Sequence, residues 1–169
     1  LDPTIDFAVL ECARGGILRS GLGFDECDIS IVTNISEDHL GLKDIHTLEE
    51  MAKVKSVVAR SAKKTGFTIL NADDDLVYEM RKDVDAQVAL FSMQENNPRI
   101  EKHCEQGGIA VFIEKGYVVV AKGKWKTRVE KVIQIPLSLN GKAECMIKNI
   151  LPAVLAATLS NMPVEMIEI

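Results

Sequence analysis

Short apolar runs bounded by polar or glycine-containing turns alternate along the chain with stretches of helical period. Residues 6–12, Asp-Phe-Ala-Val-Leu-Glu-Cys, and residues 28–35, rich in β-branched side chains, read as strands. Being apolar without strict alternation, they have the pattern of a parallel sheet covered on both faces. Thr47-Leu48-Glu49-Glu50 has the spacing of a capping box. It opens a helical pattern that runs to about residue 64 and that Gly66 is expected to end. Residues 67–71 read as a strand, 74–82 as a short helix and 87–92 as a strand, while 97–106 is a polar stretch with no assigned element. The class this predicts is α/β: an open, mostly parallel sheet flanked by helices.

After Gly107-Gly108 the rhythm changes. Residues 109–113 and 117–121 flank a Glu-Lys-Gly turn and read as a β-hairpin, with 129–135 as a further strand of a small antiparallel section. A final helix carries Ile147, Ile150, Leu151, Val154, Leu155 and Leu159 on one stripe. Pro152 lacks the N–H that a helix beginning near Glu144 would need, so the helix is expected to start with Asn149 as N-cap. At 169 residues the chain suits one core. It divides into an α/β part over 1–106, a hairpin section over 107–135 and a closing helix over 140–169.

Composition narrows the possible functions. Hydrophobic residues at 47% and charged residues at 27% are ordinary for a folded domain, which argues against disorder. Apolar runs of a handful of residues are far short of the roughly 20 that span a bilayer, so no membrane partner is expected. A formal net charge of −5 makes nucleic acid a poor partner. Cys12, Cys27, Cys104 and Cys145 form no C-x-x-C pair and read as reduced thiols. With a start that lacks the basic and apolar regions of a signal peptide, this suggests a cytoplasmic protein and a segment cut from a longer one.

Ligands of open parallel sheets sit beyond the carboxyl ends of the strands. Glu11 falls at the expected end of the first strand, and Asn34-Ile35-Ser36-Glu37-Asp38-His39 leaves the second. Glu11 and His39 on one rim would suit a divalent cation; otherwise the carboxylate caps a helix and the imidazole sits in a polar turn. Lys55 shares a helix face with Leu48, Met51, Ala52, Val58, Ala59 and Ala62. An ammonium on such a face must snorkel to water, pair with an anion or be chemically altered. Arg14-Gly15-Gly16, with Gly21 and Gly23 behind it, would let backbone approach a phosphate, and Arg14 or Arg19 would pair with an anion. No G-x-x-x-x-G-K-[ST], H-E-x-x-H or G-x-S-x-G occurs, so a triphosphate site is incomplete and hydrolase or zinc chemistry loses support.

Together, residues 10–19 (Leu-Glu-Cys-Ala-Arg-Gly-Gly-Ile-Leu-Arg), 21–25 (Gly-Leu-Gly-Phe-Asp) and 33–41 (Thr-Asn-Ile-Ser-Glu-Asp-His-Leu-Gly) resemble the Mur ligase family. Met-Ala-Lys-Val-Lys at 51–55 and Leu-Asn-Ala-Asp-Asp at 70–74 add to the likeness. The resemblance implies the P-loop-type central domain of an ATP-dependent amide-bond ligase. There a carboxylate attacks the γ-phosphate of ATP and an amine then attacks the acyl phosphate. In the branch that Ala-Arg-Gly-Gly-Ile-Leu-Arg resembles most, arginine is joined to side-chain carboxyls of a poly-aspartate chain. Implied partners are therefore ATP, Mg2+, an acidic polypeptide, an amino acid and flanking domains of the same polypeptide, in an assembly that leaves room for a homo-oligomer.

Carried over by position, Glu11 and His39 match magnesium ligands. Lys55 matches a lysine that is carbamylated in many members and then also holds metal. Arg14 is implied near the acyl phosphate or acidic chain, Thr33 and Asn34 at the nucleotide rim, and Asn149 at the nucleotide. Cys145 and Met146 stand where most members have a His-Asn pair. The P-loop is expected upstream and the amine-binding domain downstream, which would leave this part inactive alone. A muramyl or folyl-polyglutamate synthetase, or a nucleotide-binding module without catalysis, shares enough of these features to stand as the alternative.

Overall fold

The computed structural model describes residues 4–37 and 45–167, excepting the side chains of residues 164 and 165. Six strands form one sheet in sequential order: β1 (Cys27–Val32), β2 (Ala62–Asn71), β3 (Gln87–Ser92), β4 (Ile109–Glu114), β5 (Tyr117–Lys122) and β6 (Trp125–Lys131). Strands β1 to β4 are parallel; β5 and β6 continue antiparallel from β4, so the hairpin extends the same sheet.

A helix α1 (Arg14–Ser20) precedes β1, and α2 (Leu48–Ala59), α3 (Asp75–Glu79) and α4 (Pro98–Glu105) make the crossovers between parallel strands. Right-handed crossovers between sequentially ordered strands place all three helices on one face. There Ala59, Val77, Met80, Ile100 and Cys104 pack on Leu70, Leu90, Ala110 and Phe112. The opposite face is closed by α5 (Glu144–Leu159), whose Ile147, Ile150, Leu151, Val154 and Leu155 pack on Ile69, Ala89, Phe91 and Val111. A short α6 (Val164–Ile167) follows. None of the described helices is long and apolar enough to cross a membrane.

Five sequence expectations change. The strand expected over 129–135 is β6 at Trp125–Lys131, and the chain then tightens into a 3-10 turn over Val132–Gln134 that buries Val132. Residues 6–12 form no strand: Ile5, Phe7, Val9 and Leu10 are exposed, and β1 pairs only with β2 among the described residues. An apolar run becomes a strand only where a neighbour takes its backbone hydrogen bonds. Strand β2 begins at Ala62 rather than residue 67, so Gly66 lies inside it and α2 stops at Ala59. Residues 98–105, read as unassigned, are α4, opened by the Asn97 side chain accepting from Arg99 N with Pro98 in the first turn. The closing helix starts at Glu144, five residues before Asn149, with Pro152 buried in its interior. The apolar stripe offsets the missing Pro152 N–H, because Ile147 and Leu151 must both reach the sheet.

Gly66 is required by a close approach. A Cβ there would lie 2.2 Å from the Asp28 carbonyl oxygen, beside the register shift between Cys27 and Ile29. Lys63 and Asp28 form an ion pair at the same place. Gly66→Ala must therefore push β1 away from β2, and we expect it to cost about 1–3 kcal/mol in urea unfolding.

His103 on α4 packs its ring against Gly108, where a Cβ would come within 2.3 Å of Nε2. That buried Nε2 has no hydrogen-bond partner. Burial pushes the imidazole below its ordinary 6.5, although the backbone at Ile109 and Val88 acts in the other direction. The folded state thus favours neutral His103, and its contribution to stability is complete above the unfolded value. Stability is expected to fall as pH drops through 6.5. Urea unfolding of wild type and His103→Gln between about pH 5 and 7 checks this, with the variant showing a flatter acid limb.

Candidate functional site

The carboxyl ends of β1, β2 and β3 are joined by polar side chains rather than by apolar packing. Beyond β1 the backbone of residues 33–35 is held at three consecutive positions. Asn71 Nδ2, at the end of β2, donates to Thr33 O at 2.8 Å. Lys55 Nζ, on α2, donates to Asn34 O at 2.8 Å. Ile35 N donates to Asp74 Oδ2 at 2.7 Å. The same Asp74 carboxylate caps α3 by accepting from Val77 N at 3.0 Å.

Asp73 ties β2 to β3. Its carboxylate accepts from Ser92 Oγ at 2.6 Å, Met93 N at 2.6 Å and Asn97 Nδ2 at 2.9 Å. Arg99 completes this part of the rim, donating to Ala72 O at 2.9 Å and pairing with Asp75. Its guanidinium also lies 4.3 Å from the centre of the Tyr78 ring.

The capping box is present as read: Glu50 N donates to Thr47 Oγ1 at 3.1 Å, and the Glu50 carboxylate accepts from Thr47 N and His46 N. Those backbone donors hold the Glu50 carboxyl below its usual range. They set where α2 begins, and hence which residue of α2 reaches the β1 exit. Two turns on, that residue is Lys55, whose inward place on an apolar stripe resolves into a half-buried stem and an ammonium on the Asn34 carbonyl.

Of the residues singled out from sequence, Thr33, Asn34 and Lys55 are thus brought together. Arg14 opens α1, half-buried, and α1 packs on α2. Glu11 is exposed on the extended segment before α1 instead of ending a strand. Arg19 turns back on its own helix, Nε donating to Gly15 O at 3.0 Å. His39 lies outside the described residues.

Asn149 is on the other face of the sheet. With Leu137, Met146, Ile150, Ala153 and Ala157 it lines an apolar groove of about 300 Å³ along α5. Among the described residues no three His, Cys, Asp or Glu side chains gather as a metal-holding group. The four cysteines are free, and burial raises the thiols of Cys104 and Cys12, as suits unreactive sulfur.

Asp73, Asp74, Asn97 and Arg99 were not read as site residues from sequence. For the two aspartates the one signal was the Asn-Ala-Asp-Asp run, which shows nothing of its partners on β1 and β3; Asn97 and Arg99 lie in the polar stretch that had no assigned element.

The Mur ligase middle domain model matches residues 1–157. The chain belongs to the Mur ligase family. It is 50% identical over 98% of its length to a cyanophycin synthetase of Geminocystis herdmanii, and 52% identical over 98% to one from Synechocystis sp.. It is also 30% identical over 81% of its length to a UDP-N-acetylmuramoylalanine--D-glutamate ligase of Symbiobacterium thermophilum. The chain spans 19% of the length of each of those two cyanophycin synthetases and 27% of the third relative. The Mur ligase middle domain here is therefore an α/β layer whose rim is built from the ends of β1 to β3.

Proposed function

We propose that this chain is the central part of an ATP-dependent ligase of the cyanophycin synthetase kind, which joins arginine to side-chain carboxyls of an acidic polypeptide through an acyl phosphate. The observation that carries the reading is Lys55 on the Asn34 carbonyl at the β1 exit, in a chain half identical to those synthetases. The reaction brings a carboxylate to a phosphate, two anions that repel, so a ligase must concentrate positive charge at that point. Arg14 and Lys55 are the residues of this chain assigned to it.

Glu11 and His39 are proposed as magnesium ligands, joined by Lys55 if it carries a carbamate. Glu11 is exposed, makes no hydrogen bond or ion pair among the described residues, and offers the oxygen that magnesium prefers. Lys55 as an ammonium offers no ligand; a carbamate would. The ion, when bound, supplies neutralisation of phosphate charge. Thr33 and Asn34 shape the rim beside the phosphates. Asn149 is assigned to the nucleotide, in the groove it lines with apolar side chains along α5.

The test is phosphate release and arginine incorporation by the whole polypeptide containing this chain. Release is expected only when ATP, an aspartate polymer and arginine are all present. Absence of arginine incorporation overturns the substrate assignment, and ligation of D-glutamate to a muramoyl-alanine substrate would transfer the reading to that branch.

A further inference from the structure

Positive charge is concentrated on the edge of the sheet farthest from β1. Residues 114–131 hold six Lys or Arg against two Glu, on a chain whose net charge is −5. Lys126 pairs with Glu114 at 2.5 Å, whereas Lys115, Lys122, Lys124, Arg128 and Lys131 make no ion pair among the described residues.

These cations are arranged along a strand. Lys126 lies 5.3 Å from the Phe112 ring centre, and Arg128 and Lys131 lie 4.8 Å and 5.7 Å from that of Tyr117, so three share one face of β6. Lys122 pairs across the hairpin with Trp125, which is 83% exposed. Lys122, Lys124 and Trp125 line an open hollow of about 540 Å³ with Gly107 and Gly123. Strand β6 pairs only with β5 among the described residues, leaving its outer edge with unused backbone donors and acceptors.

We infer that this edge docks an extended acidic polypeptide. An added strand would use the backbone edge of β6 for hydrogen bonds and the flanking cations for its carboxylates. The same cations that repel a second copy of β6 attract an acidic strand, so one feature both bars self-pairing and selects the partner. A single-stranded nucleic acid fits less well. It cannot use the backbone ladder, and of the two hairpin aromatics only Trp125 is free to stack, since Tyr117 is covered by Arg128 and Lys131. The strand antiparallel to β5 runs from the hollow at Trp125 toward the end of the sheet that carries Asp73 and Asp74. A docked chain would follow that line to the rim. The inference stands on charge and an open edge, and holds whether or not the chain takes part in ligation.

Trp125 is the one tryptophan, so its fluorescence reports binding directly. Titration with poly-L-aspartate is expected to change its emission saturably, with affinity falling as salt is raised. The variant Lys122→Glu/Lys124→Glu/Arg128→Glu should bind at least about tenfold more weakly. Circular dichroism checks its fold, and Lys124→Glu alone, in the hairpin turn, should weaken binding measurably should the triple variant misfold. Equal affinity in wild type and a folded variant overturns the inference. So does tighter binding of an oligothymidylate of equal charge, which would make the edge a nucleic-acid surface. Because no nucleotide or amine is present, failure here is distinct from failure of ligation.

Discussion

Replacing Lys55 with methionine in the whole ligase is expected to lower the ligation rate at least about 100-fold, with a loss of thermal stability no larger than the one hydrogen bond removed. Methionine keeps the apolar stem that α2 buries and removes the charged end that reaches Asn34 O. A hydrogen bond to a charged group contributes about 1.5–3 kcal/mol, or roughly 10- to 150-fold if all of it were realised in the transition state. A larger loss would mean that Lys55 acts on the reacting groups as well as on the loop. Lys55→Arg separates the two roles. It keeps positive charge and donors for the Asn34 carbonyl but cannot form a lysine carbamate. Activity within a few fold of wild type in the arginine variant would assign Lys55 to holding the loop. Activity as low as in the methionine variant would favour the carbamate, and intact-mass measurement in bicarbonate would then look for the added carboxyl group.

Replacing Asp74 with alanine should destabilise the chain by about 2–4 kcal/mol, as the sum of a lost helix cap and a lost bond from the part-buried Ile35 N to a carboxylate. In a chain of this length that corresponds to a fall of roughly 5–15 °C in Tm. Asp74→Asn is the sharper probe. Its single oxygen can serve Val77 N or Ile35 N, and the amide nitrogen then faces the other N–H as a second donor. If Asp74 matters only as a cap, the asparagine variant retains most of the stability and all of the activity, since asparagine caps well. If it positions the β1 exit, the asparagine variant loses kcat while remaining folded. Thermal unfolding and ligation kinetics on the same preparations distinguish these outcomes.

Elements specified by neighbours in the chain were legible. The capping box at Thr47 lies within three residues of the N–H groups it satisfies and appears where the spacing placed it; the short helix read over 74–82 forms as α3, with Asp74 as its cap. The four-residue separation of Ile100 and Cys104 also marks a helix, yet they are the only buried residues of the eight in α4, too weak a stripe to stand out from its polar surroundings. Residues 6–12 show the reverse case. Their apolar pattern is strong, but no strand is made without a partner. Pro152 was misleading because a local rule about helix interiors was weighed without the sheet that α5 covers.

The candidate site divides along the same line. Lys55 stood out from sequence because a charge on an apolar stripe contradicts the pattern around it, and the motifs placed Thr33 and Asn34 beside it in function. The sequence alone settles the α/β class, the capping box at Thr47 and the family, since periodicity, capping and motif spacing are properties of nearby residues. Only the tertiary structure brings Asn71, Lys55 and Asp74 onto Thr33, Asn34 and Ile35, across separations of 38, 21 and 39 residues. It alone also aligns the lysines of β6 along an open edge and sends α5 through a proline. Those outcomes depend on which strands pair and which faces are buried, and burial is decided by all the layers together rather than by any one segment.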